Sequence, residues 1–249
     1  MMECCETKYM ENCMICGKPL MYLEKPVLKK CEYCGTEELT LAHCTDGHYV
    51  CDKCHAKDGV EVIKDYCLST DSKDPMEIVE NIMSDSRIPM HGPEHHALVP
   101  AAIVTAYKNL TGKASDEDIL EAINRGKEIP GGACGYYGAC GAGVGIGVAI
   151  SVIYKATPLT PLKRTKAHLA VANALKSIGE AGGARCCKKC TRISIEEAVE
   201  FFEKESNVKF PETFERTDDC NYSKRNRECY YMCKYRNVEK SERSVKYGS

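Results

Sequence analysis

A mostly helical chain is predicted: an all-α domain fronted by a zinc-finger module of RING or treble-clef type and closed by a cysteine-rich segment. Three observations predict it. Cysteine and histidine crowd residues 13–55 at metal-ligand spacing, and apolar residues between 75 and 207 recur at helical period with no competing strand alternation. Cys220, Cys229 and Cys233 then bring thiols back near the end. The expected division is a zinc-binding module over 1–66, a helical domain over 75–215, a Cys-rich segment packing on it over 216–236, and a polar tail over 237–249. A chain of 249 residues suffices for one sizeable core and a small satellite.

The early ligands form four pairs: Cys13/Cys16, Cys31/Cys34, Cys44/His48 and Cys51/Cys54, with His43 and His55 as spare donors. A Cys-x2-Cys followed by Gly, as at Cys16-Gly17 and Cys34-Gly35, is a knuckle whose turn aims two thiolates at one ion. Eight ligands fill two tetrahedral shells with no open position, which makes these sites structural and predicts about two zinc ions. The run from Cys31 to Cys54 has the spacing of the first six RING ligands, with Cys13/Cys16 placed before it; a cross-braced arrangement is expected. Ligand spacing is a folding constraint, so ubiquitin-ligase activity does not follow from it.

The helices come next. Asp74-Pro75 starts one with Met76, Val79, Ile82 and Met83 on a single face. His96 to Leu110 is apolar and stops at Gly112, with Pro100 in or near its first turn. Ser115 caps Asp116 to Asn124, and Gly126 reads as the stop. Ala139 to Lys155 and Lys163 to Glu180 follow, and Ser194 with Glu197 reads as the capping box of a last helix carrying Ile195, Ala198, Val199 and Phe202.

Candidate chemistry sits in three places. His91, Glu94, His95 and His96 surround a Gly-Pro break, as acid/base groups or ligands at a helix N-terminus, or else as caps for its first N–H groups. In the stretch Gly131–Gly147, Cys134 and Cys140 lie before and at the start of a glycine-rich helix, where N–H groups lower a thiol pKa; they read as reactive thiolates or cluster ligands, Cys140 as either a cluster ligand or the most reactive, catalytic thiol. Each glycine costs a helix about 1 kcal/mol against Ala, so these must gain from close backbone approach to another helix or to a bound group. No strand precedes them and no Lys-Ser/Thr follows, which argues against a nucleotide loop. Adjacent Cys186 and Cys187 cannot both ligate one ion without strain. With Cys220, Cys229 and Cys233, one of Cys186, Cys187 and Cys190 would complete a four-thiolate site for zinc or one [4Fe–4S] cluster.

Charge and cysteine usage bound the setting. Net charge is −2, so no global basic field recruits nucleic acid, although a local patch remains open. The longest apolar stretch, Gly143 to Tyr154, is too short to span a bilayer, and Met1–Glu6 has no signal-peptide pattern. A cytoplasmic location keeps the 18 cysteines reduced, as metal ligands or reactive thiols.

The Cys13–Asp58 finger, His91–His96, Gly131–Gly147 and Gly183–Lys188 together resemble an uncharacterised cysteine-rich family of unknown function from methanogenic archaea and anaerobic bacteria, over most of residues 10–235. The resemblance implies an anaerobic cytosolic setting, suited to oxygen-sensitive iron–sulfur chemistry, and a small polar residue at the position of Cys190. The expected activity is redox or sulfur transfer at an iron–sulfur or thiol site, using Cys134, Cys140, Cys186, Cys187, Cys220, Cys229 and Cys233. The rival expectation is a zinc-finger adaptor or assembly factor, and on either reading the partner is another protein.

Overall fold

The computed structural model describes residues 13, 15–16, 18–85, 87–215 and 220–236; the tail expected at 237–249 lies outside them. Strands β1 (Leu20–Lys30) and β2 (Glu37–Cys44) precede helices α1 (Asp52–Ser69), α2 (Pro75–Ser84), α3 (Glu94–Thr111), α4 (Asp116–Lys127), α5 (Ala133–Tyr136), α6 (Gly141–Ile153), α7 (Pro161–Glu180) and α8 (Cys187–Ser206). The fold is mostly helical, as expected, with a small antiparallel sheet added. That β1–β2 hairpin was not anticipated. Its register shifts between Tyr22 and Val27, so the period-2 signal breaks in mid-strand.

Helix α3 is the central post, packed by α1, α2, α4, α6 and α8. Its residues Ala97 to Ala106 are all buried, so it has no amphipathic stripe. It starts at Glu94, two residues earlier than expected, which puts Pro100 beyond the first turn. Pro100 cannot donate to the His96 carbonyl. Gly126 and Gly145 approach at that place: a Cβ on Gly126 would lie 2.6 Å from His96 O and 2.6 Å from Ala97 Cα. Gly126 is therefore a packing glycine inside α4, not its stop, and α4 continues to Lys127.

The glycines of α6 divide between two neighbours. Gly141 and Gly145, one turn apart, admit His96 and Val99–Pro100 of α3; Gly143 and Gly147, one turn apart on another side, admit Leu175 and Val171 of α7. The alternating glycine motif is thus a helix wedged between two others, and close helix approach is what offsets the propensity cost.

The capping box expected at Ser194 is overturned. Helix α8 begins at Cys187, with Cys186 as N-cap accepting from the Lys189 N–H, and Ser194 is buried in mid-helix. Lys188 and Lys189 ride the first turn of α8 and are buried. On its C-terminal half Phe202 packs against Tyr107, Tyr154, Phe201 and Phe210 with ring centroids 5.6–6.2 Å apart. Truncating it to Ala costs about 3–5 kcal/mol.

Helix α1, also unanticipated, carries Cys54 in its first turn, while Val62, Ile63 and Cys67 further along it enter the helical core. The boundary expected at residue 66 falls within this helix. Asp74 caps α2 through the Met76 N–H (2.8 Å) and accepts the Thr213 and Phe214 N–H groups, which ties down the approach to the C-terminal segment.

Candidate metal and thiol sites

Two groups in the N-terminal module could hold metal ions. Cys13, Cys16, Cys44 and His48 form one, and Cys31, Cys34, Cys51 and Cys54 the other; in each, all ligand atoms lie within 4.8 Å of one another. First pair with third and second with fourth is a cross-brace. Cys16 Sγ lies 3.4 Å from Cys44 Sγ and Cys34 Sγ 3.6 Å from Cys51 Sγ, close to the edge of about 3.8 Å that a tetrahedral zinc with 2.3 Å Zn–S bonds requires. Backbone N–H groups of Ile15, Asp46 and Cys51 point at Cys13, Cys44 and Cys31 from 3.3–3.4 Å. Gly35 supplies the left-handed turn (φ 72°) at its knuckle, while Gly17 lies outside the described residues. Burial opposes ionisation of Cys31, yet the N–H groups of Cys34, Cys51 and Tyr33 hold it down to about 6. The spare donors join neither group: His43 Nδ1 bonds the Cys44 carbonyl (2.8 Å) and His55 Nδ1 pairs with Glu94 Oε1 (2.7 Å).

A cleft of about 270 Å³ opens between this module and the helical body, lined among others by His48, His55, His91, His96, Cys134 and Cys187. Its histidines are held by different partners. His91 Nε2 sits 3.1 Å from Asn226 Oδ1 and 3.5 Å from Glu228 Oε2, anchoring the C-terminal segment. His96 Nδ1 donates to the Ile129 carbonyl (3.0 Å), and burial lowers its pKa. His95 is fully buried off the cleft, with Nδ1 on the Gly92 carbonyl (3.2 Å), and burial holds it well below the ordinary imidazole value. Glu94 is also fully buried, and a Cβ on Gly92 or Gly59 would collide with its side chain. None of these side chains caps α3, whose N-cap is Pro93.

The seven thiols expected to bind a cofactor do not converge on one point. Cys134 is exposed at the cleft, and Cys187 lines the cleft with burial pushing its thiol up to about 12. Cys140 is the N-cap of α6. Its pKa is lowered to about 6, first by a hydrogen bond from Cys190, against burial, then by the N–H groups of Gly143 and Ala142 and the charge of Lys189. Cys190, the same contact seen from the other side, stays protonated. This partner was missed because Ser194 was read as the helix start, which hid that Cys190 rides the first turn of α8. Cys186, Cys220, Cys229 and Cys233 line a separate small cavity with Lys189, Arg192 and Arg236.

Among the described residues no helix is long and apolar enough to cross a membrane. No curated protein and no solved structure matches the chain. A family model matches residues 63–236, beginning inside α1, so the metal groups at 13–54 lie outside the matched span. By that match over most of its length, the chain belongs to DUF5714, a family of unknown function.

Proposed function

We propose that this is a cytosolic zinc-stapled protein whose helical body performs thiol chemistry, redox exchange or sulfur transfer, with Cys140 as nucleophile and Cys190 holding it as thiolate. The observation that carries the reading is the placement of Cys140 as N-cap of α6, beside Cys190 and within reach of the Lys189 charge. A thiolate is the nucleophile in both chemistries, and a helix N-terminus with a neighbouring cation maintains one near neutral pH. The two cross-braced groups suit zinc by donor set and spacing, and as closed shells they stabilise the module without reacting. Cys134 and Cys187 on the cleft, with His91 and His96, stand where a sulfur-bearing substrate would enter. The test is alkylation of the reduced protein across pH, read by peptide mass: Cys140 should label with a midpoint near its own shifted pKa. Labelling no faster than exposed Cys134 at pH about 6 would overturn the assignment.

The adaptor reading has one observation in its favour. The hairpin exposes Leu28 (61%) and Leu39 (67%), which pair across the strands. Association with a purified partner protein that survives Cys140→Ser and is lost in Leu28→Glu would favour it.

A further inference from the structure

We propose that Cys186, Cys220, Cys229 and Cys233 form a binding site for one [4Fe–4S] cluster, separate from the zinc module and from Cys140. These four thiols line one cavity, and the choice among Cys186, Cys187 and Cys190 for the fourth is made by α8: its N-cap Cys186 is the one that borders the C-terminal segment. Electrostatics point to an anionic occupant. Lys189, Arg192 and Arg236 line the cavity, and no carboxylate does. A cluster held by four thiolates is such an anion. One cation is placed against a thiol: Arg192, buried and bidentate on Glu80, donates from Nη1 to Cys220 Sγ at 3.4 Å. The Lys189 backbone N–H donates to Cys186 Sγ at 3.4 Å, while its ammonium bonds the Gly182 carbonyl. Tyr222, Tyr230 and Tyr235 complete the wall and limit water.

The thiols as placed do not make a single-ion group. Among the described residues no three of them gather within 4.8 Å of one another, unlike the two N-terminal groups. A mononuclear zinc draws its thiolates to about 3.8 Å from each other. A cuboidal cluster sets them wider, because each sulfur binds a different iron. The cavity has room for about one water (about 20 Å³), so cluster entry displaces its outer wall. That wall is residues 220–236, a run of turns with no helix or strand to resist the movement. It is pinned on the inner side by buried Tyr222 and Asn226, which would remain as the hinge of that displacement.

The experiment is metal and acid-labile sulfide analysis of the full-length protein, expressed and purified without oxygen from an iron-replete host. Expected are about four irons and four sulfides per chain and a visible charge-transfer band that air bleaches. Cys229→Ser and Cys220→Ser should lose iron, sulfide and band, while Cys140→Ser and Cys134→Ser keep all three. Zinc content and helical circular dichroism, unchanged in the first two variants, show that they fold. Should either fail to fold, the wild-type sulfide and Mössbauer spectrum decide alone. A colourless wild type with a third zinc overturns the proposal, as does iron retained in Cys229→Ser. Either result leaves the role of Cys140 standing, since that thiol does not line the cavity.

Discussion

Replacing Cys190 tests the thiolate at Cys140 most directly, because the Cys190 hydrogen bond is the largest influence holding Cys140 ionised. A hydrogen bond to a charged group is worth about 1.5–3 kcal/mol, and one pH unit corresponds to about 1.4 kcal/mol. Cys190→Ala should therefore raise the alkylation midpoint of Cys140 from about 6 by about one to two units. Cys190→Ser keeps a donor and should leave the midpoint nearly in place. The rate advantage itself is smaller than the thiolate fraction suggests. At pH 6 Cys140 is about half ionised against about 0.3% for an ordinary thiol of pKa about 8.5, roughly 150-fold. Nucleophilicity falls with pKa at a Brønsted slope of about 0.45, which removes about 13-fold and leaves about 10-fold. By pH 8 the advantage is gone. The assay is time-resolved alkylation with peptide mass readout from pH 5 to 9. A wild-type midpoint above about 8, or one that Cys190→Ala does not move, would refute the reasoning.

Dialysis against a mild chelator should leave about two zinc ions per chain, and Cys34→Ser should release one and unfold the hairpin, since site binding energy is folding energy. Gly126→Ala should destabilise by about 1–3 kcal/mol in urea, because its Cβ meets α3 backbone at 2.6 Å and overpacking outweighs about 1 kcal/mol of helix propensity. Gly179→Ala in α7, with nothing within 4 Å, should instead stabilise by about 0.5–1 kcal/mol. His95 is held neutral by burial, so below the unfolded imidazole pKa of 6.5 the unfolded chain binds one more proton than the folded one. Stability should then fall with falling pH by about 1.4 kcal/mol per unit from this group, and His95→Asn should flatten the slope by that amount.

Several features were legible because they rest on local chemistry. Eight ligands at two- and three-residue gaps specified both metal groups, and Asp74-Pro75 specified α2. The place of Cys140 at a helix start was legible too. Other features were hidden by tertiary or metal constraints. Helix α1 carries no ordinary start signal, because its N-cap position is occupied by Cys51, a member of the second metal group. Ser194 and Glu197 have capping-box spacing, yet burial of Thr191, Ile193 and Ser194 against the body extends α8 through them. Gly126 looked like a stop since a packing glycine and a terminating glycine differ only in what lies opposite. The hairpin lost its alternation at the shift between Tyr22 and Val27.

The start of α8 explains why three cysteines within five residues need not compete for one ion. Cys186 is the N-cap, outside the helical repeat, and borders the C-terminal segment. Cys187, one residue on, lines the cleft, and Cys190, nearly one turn further, meets Cys140. A helix advances 3.6 residues per turn, so neighbouring positions diverge while i and i+3 share a side. Cys187 and Cys190 therefore share a side of α8, whereas Cys186 precedes its first residue and lines a different cavity. Cys187 is near enough to Cys140 that a thiolate there raises its own pKa. One thiolate and one protonated thiol side by side is the pairing that thiol exchange uses, because attack needs the first and resolution can follow through the second. Cys187→Ser should accordingly leave the Cys140 alkylation midpoint almost unchanged while trapping any mixed disulfide formed on Cys140. If Cys190 rather than Cys187 is the resolving thiol, the mixed disulfide will persist only in Cys190→Ser. Non-reducing peptide mass analysis of the two variants after exposure to a small disulfide separates these outcomes.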